Sequence, residues 1–233
     1  HTLRDAIEDR GYNGSPFHSA VSGFIADRIP LTVATHQMVP LLDVATLCAM
    51  LFVVATAFGW KVGLVFALFF FTSAADRWGI IGGSFFRYQW MVTLGLSLAA
   101  LRRKKYTTAG FFMALSTLLN IFPVVFSVGL VVRALRSWRS QGRLPTRYRR
   151  FFGAAIITGV IGLGIGALPA RGIDNYTSWK ANMELHNVER FQGFGLGLKF
   201  PFTYQGGLDA KSDKLPESKR RAQFHRTRSV YYV

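Results

Sequence analysis

Cysteine is nearly absent: the chain of 233 residues has one, Cys48, inside an apolar run. A disulfide framework and a cysteine-rich metal site are thereby excluded, and Cys48 reads as a small core residue. Acids are scarce as well, 12 against 28 Lys and Arg, for a formal charge of +16. Residues 102–150 carry eleven Lys/Arg and no acid, while 44–60, 62–75 and 151–170 carry no charge of either sign. Such segregation is unlike a nucleic-acid-binding domain, which interleaves basic residues with polar and aromatic ones across one folded face. It is also unlike an ordinary soluble domain, whose core helices do not need apolar runs of about 15–25 residues. No signal peptide is legible, because Thr2 to Arg10 is charged rather than apolar. No second His stands at metal-ligand spacing. No cofactor is evident; a divalent metal is compatible with the chain but has no ligand motif.

Half of the residues are hydrophobic, and their placement predicts an all-α, polytopic transmembrane bundle. Ser15-Pro16, followed by Phe17, Val21, Phe24 and Ile25, gives a capped helix start with apolar residues at i, i+4, i+7 and i+8. Residues 1–40 therefore form an external or interfacial segment with an amphipathic helix that ends near Pro30, lying at the membrane interface or docked on protein. Residues 41–170 form the transmembrane region. A first span runs from about Leu41 to Trp60. A second apolar run, Val62 to Ala75, has only 14 residues, short for a hydrocarbon core of about 30 Å. A third covers Ile80 to Leu101 and contains one charge, Arg87.

Two basic blocks follow, at 102–105 and 133–150, and the positive-inside rule assigns both to the cytoplasm. One crossing between them cannot satisfy that. Two short helices, Thr108–Asn120 and Pro123–Val132, broken at Asn120-Ile121-Phe122-Pro123, would enter and return on the same side. Proline removes a backbone donor and disfavours a helical residue before it, which makes this the natural break. The alternative is one kinked helix with seven Arg outside. Phe151 to Pro169 is the next span, with Gly159, Gly162 and Gly166 as a small-residue stripe for close helix packing. The Gly162-x-Gly164-x-Gly166 spacing lacks the basic residue that a nucleotide loop needs. Residues 171–229 are polar and read as external, although eleven Lys/Arg against six acids in 171–228 fit that side awkwardly. Residues 230–233 read as the start of a further span, so the chain resembles a piece of a longer or processed protein.

Among candidate functional residues, Arg87 stands out, because an Arg inside an apolar run needs a partner, a cavity or water. It either holds an anionic headgroup or snorkels beside Tyr88 and Trp90 as part of an aromatic belt. Asp43 and Asp76 are the acids nearest the apolar blocks, and each is a candidate general base or a span boundary. Asn120 offers amide groups beside the break. Trp179, Asn182, Met183 and His186 share one helical face by spacing. Asn175-Tyr176-Thr177 is a glycosylation sequon.

Taken together, Ile81-Gly82-Gly83-Ser84-Phe85-Phe86-Arg87-Tyr88-Gln89-Trp90, the stretch Ala109-Gly110 through Asn120-Ile121-Phe122-Pro123, and Trp179 through His186-Asn187 resemble bacterial polytopic proteins related to the GT-C membrane glycosyltransferases. The resemblance covers about residues 10–205. It implies an enzyme of the bacterial inner membrane that moves a sugar from a polyprenyl-phosphate donor, a membrane lipid as partner, and no nucleic acid. Such enzymes usually carry their base on an acid of the first external loop, whose tail Asp5, Glu8 and Asp9 would be; on the residues of this chain Asp76 is the candidate base, Arg77 and Arg87 are the candidate cations, and Trp90, Asn120, Trp179, Asn182, His186 and Asn187 complete the candidate substrate site. Two positions depart from the pattern: Gln89 stands where such proteins have Asp, and Asn120 where they have Arg or Lys. Both departures remove an ionisable group and favour the alternative, a non-catalytic integral membrane subunit or scaffold.

Overall fold

The structure, a computed structural model, describes residues 15–30, 32–39, 41–72, 86, 88–169 and 172–189, with the backbone alone at 36–37, 69–72 and 182–189. Every regular element among the described residues is helical, so the all-α expectation holds. The helices are α1 (Pro16–Ala26), α2 (Val33–Met38), α3 (Leu41–Phe58), α4 (Trp60–Thr72), α5 (Gln89–Arg102), α6 (Tyr106–Leu119), α7 (Val124–Gln141), α8 (Thr146–Ala167) and α9 (Asp174–Glu189). The chain forms two compact units, residues 1–179 and 180–233.

Two helices, α3 and α8, are long and apolar enough to cross a membrane. Neither is mostly buried. Phe52 on α3 is 70% exposed and Ile156 and Val160 on α8 are each 65% exposed. The second apolar run begins two residues earlier than its uncharged stretch, at Trp60. Between α3 and α4 stands only Gly59, at φ +97, a conformation open to a residue without a Cβ. The chain folds so sharply there that a Cβ on Gly63 would lie 2.6 Å from that of Ala55.

Antiparallel α5 and α6 are tied at both ends: Ser97 Oγ donates to the Ala109 carbonyl at 2.8 Å, and Ser116 Oγ to the Trp90 carbonyl at 2.5 Å. Ser97 and Ser116 are fully buried, so each hydroxyl satisfies a group that would otherwise be stranded in an apolar interior. Helices α6 and α8 lie side by side in the same direction, with Gly110 against the Phe151 carbonyl and Gly162 against Leu118. A Cβ at Gly110 would collide with backbone, so the two helices approach there as only a small residue allows, whereas one at Gly162 would meet the Leu118 side chain. Leu94, Ala100, Ala109, Met113 and Phe151 form the buried cluster at this junction, and Leu130 of α7 packs on it.

The small-residue stripe of α8 is thus used unequally. Gly162 and Gly166 are close contacts, whereas a Cβ at Gly159 would meet nothing within 4 Å. The break falls at 120–123 as the proline suggests: Asn120 is extended (φ −151, ψ 138) and α7 starts at Val124. The second helix of the pair is longer than its apolar stretch, however. It continues past Val132 through Arg133, Arg136 and Arg139 to Gln141 and stops on Gly142 at φ 65, a left-handed cap that glycine adopts freely. Part of the second basic block is therefore helix rather than loop.

These pairings give the first unit two distinct ends. At one, the α5–α6 turn carries Arg102, Arg103, Lys104 and Lys105, and the start of α8 carries Arg147, Arg149 and Arg150. Helix α3 runs alongside α5, and Arg103 reaches it through a 2.6 Å hydrogen bond to Thr56 Oγ1. At the other end lie the start of α3, the start of α5, the C-termini of α6 and α8, and the first turn of α1, which packs on Gly166.

Candidate functional site

Polar chemistry concentrates at the end opposite the basic one. Asp43, in the first turn of α3, is 4% exposed, and Gln89, the first residue of α5, is 7% exposed. Gln89 Nε2 donates to Asp43 Oδ1 and to Thr46 Oγ1, both at 2.8 Å. Thr46 in turn donates to the Leu42 carbonyl at 2.9 Å. A carboxylate removed from water needs such partners, since an unpaired one would cost several kcal/mol (roughly). The pattern along the sequence revealed each residue but not the pair; 46 positions separate them, and helical periodicity carries no information about partners on another helix.

A second anchor lies three residues earlier. His18, in α1, is 8% exposed and donates from Nε2 to the Phe86 carbonyl at 3.0 Å; the two rings lie 5.9 Å apart. Phe86 has φ +66, a left-handed conformation in which a bulky residue is strained and that often marks function. His18 was not singled out by the sequence. The available signal was a polar residue beside Phe17 in a helix start already identified by Ser15 and Pro16. Ser15 does cap α1, accepting from the His18 N–H at 3.1 Å. Burial on α1 falls on its first turn, Pro16, Phe17 and His18, so Phe17 alone of the expected apolar stripe is buried, and Phe24 is 59% exposed. The first turn of α1 thus docks on protein.

Of the residues expected at a site, Asp76, Arg77 and Arg87 lie outside the described residues. Asn182, His186 and Asn187 are on the helical backbone of α9, and their side chains lie outside the description. The other three gather at the same end of the first unit. Trp90 follows Gln89 on α5, and its side chain packs on the α5–α6–α8 cluster. Asn120 spends its Oδ1 on the Phe122 N–H at 3.3 Å, a structural use that satisfies backbone freed by the break. Trp179 lines a cavity of about 450 Å³ between α1, α6, α7, α8 and α9. Its buried indole N–H has no acceptor among the described residues.

The start of α9 is tied to the end of α8. Tyr176 OH donates to the Leu163 carbonyl at 2.7 Å, and Asn175 Nδ2 donates to the Pro169 carbonyl at 2.9 Å. The sequon asparagine is thus engaged within the fold. Burial raises the Tyr176 phenol above its ordinary value, because the charged form is disfavoured away from water. Among the described residues, no cluster of three His, Cys, Asp or Glu is placed to hold a metal ion.

No protein-family model matches the chain, and no curated protein or solved structure matches it.

Proposed function

We propose that the chain is a polytopic protein of the bacterial inner membrane that transfers a sugar from a polyprenyl-phosphate donor, as the GT-C-like proteins it resembles would. The supporting observation is the pair of anchors at Phe86 and Gln89, which flank Arg87 in the sequence. Phe86 is held by His18 and Gln89 by Asp43 and Thr46, and Arg87 is the next residue after one anchor and two before the other. A cation that binds a leaving phosphate gains most when its position is fixed before substrate arrives.

In this reaction the acceptor hydroxyl attacks the anomeric carbon, its proton passes to a base, and the bond from that carbon to the phosphate oxygen breaks. Asp76 is the proposed base. Arg77 and Arg87 receive the phosphate as its charge develops, and Trp90, Asn120, Asn182, His186 and Asn187 border the substrate, while Trp179 lines the neighbouring cavity. The polytopic arrangement is supported by two membrane-length helices whose large apolar side chains face outward. Exposed apolar surface on that scale is costly in water and neutral in lipid.

A second reading, a non-catalytic membrane subunit, is favoured by the structural use of Asn120 and by the amide at Gln89. Donor binding and turnover separate the two. With purified protein and a labelled polyprenyl-phosphate-sugar, Arg87→Lys should weaken binding by roughly 1–3 kcal/mol, because a bidentate phosphate contact needs the guanidinium fork. Arg87→Gln should abolish turnover at equal folded fraction. Unchanged binding in both variants, or no turnover by the unaltered protein, would leave the subunit reading.

A further inference from the structure

We infer that the cavity lined by Trp179 holds one acyl chain of a bilayer phospholipid as a fixed part of the protein, separate from any donor site. Its volume, about 450 Å³, lies within the range of roughly 300–1,000 Å³ of small-molecule sites. None of its described lining residues carries a charge. Its hydroxyls are already spent on backbone: Ser15 donates to the Leu118 carbonyl, Thr117 to Met113 at 3.0 Å, Ser127 to Val124 at 2.6 Å and Tyr176 to Leu163 at 2.7 Å. With its hydroxyl donors used and no cation, the cavity offers little to water and nothing to a phosphate.

Gly159 is what leaves the space open. It lines the cavity, and a Cβ there would touch nothing within 4 Å, although neighbouring Gly162 and Gly166 on the same helix are tightly packed. The rim leads outward to the exposed apolar side chains Ile121, Val124, Ile156 and Leu163. Ile156 and Leu163 stand on α8, a helix long enough to span a bilayer. A chain entering from that face therefore comes from the hydrocarbon phase. Among the described residues, the buried side-chain polar atom without a partner is the Trp179 indole N–H. An ester carbonyl at the head of an acyl chain supplies its missing acceptor when the ring turns toward it, and a neutral carbonyl suits a lining without charge.

The test counts lipid on the full chain purified in mild detergent, by native mass spectrometry and by extraction. The unaltered protein should retain one phospholipid per chain. Gly159→Leu, which fills open space, should retain at least tenfold less with its melting temperature unchanged or raised; Ala155→Leu serves as the second filling variant. In protein stripped of lipid and carrying Trp179 as its only tryptophan, phosphatidylglycerol with brominated acyl chains should quench fluorescence saturably at one equivalent. Gly159→Leu should lose that quenching. Equal retention in the filled and unfilled proteins, or no retained phospholipid, would overturn the inference. So would retention of a polyprenyl phosphate in place of phospholipid, which would make the cavity part of the donor site. Arg87→Gln should leave lipid retention unchanged, so failure of the transferase reading and failure of this one are distinguishable.

Discussion

At the scale of the residue, the buried pair of Asp43 and Gln89 decides how the start of α5 is held. Replacing Gln89 by Leu keeps the bulk but removes the amide that donates to Asp43 and Thr46. The cost should be roughly 1–3 kcal/mol, the range for a lost hydrogen bond to a charged group, read as a lower melting temperature in detergent. Tyr176 gives a second test. Its phenol is raised by burial, so the stability it contributes is fully present below about pH 10, the ordinary tyrosine value. It is lost as the pH climbs through the higher folded value, where the unfolded state has already released its proton. Alkaline unfolding should show this loss in the unaltered protein and not in Tyr176→Phe. Both acids and Arg87 could be picked from the sequence because charges in apolar runs are conspicuous. His18 could not, since one polar residue in an amphipathic helix start has many ordinary explanations.

At the scale of the element, the sequence yielded the breaks more reliably than the ends. Ser15 with Pro16 marked the start of α1, and Pro123 the break before α7, because both act through local backbone chemistry that neighbours cannot override. The end of α7 was misplaced at Val132, where apolarity stops. Arginine is a good helix former, so the helix continues until Gly142 ends it. The glycines of α6 and α8 also looked alike in sequence and differ in the fold, because only tertiary packing tells a contact from a void. Gly110→Ala should destabilise by roughly 1–3 kcal/mol, since the added methyl meets the Phe151 carbonyl. Gly159→Ala should be neutral or slightly stabilising, as helical propensity improves and nothing is struck. Thermal unfolding of the two variants side by side checks both signs.

At the scale of the whole molecule, the chain is read as a membrane protein whose first unit has a basic end and a polar, anchored end. The basic blocks were legible as charge runs, and the positive-inside rule grouped them on one side. The geometry that brings the α5–α6 turn and the start of α8 together rests on Ser97 with Ala109 and Gly110 with Phe151, contacts that no periodicity specifies. The most direct test is sidedness. With Cys48 replaced by Ala, single cysteines at Lys104 and Arg143 should be protected from a membrane-impermeant maleimide in intact cells and labelled after permeabilisation. A cysteine at Ser178, exposed beside the other end, should be labelled in intact cells. Labelling that puts 104 and 143 on different sides, or 178 on the side of 104, would contradict the account.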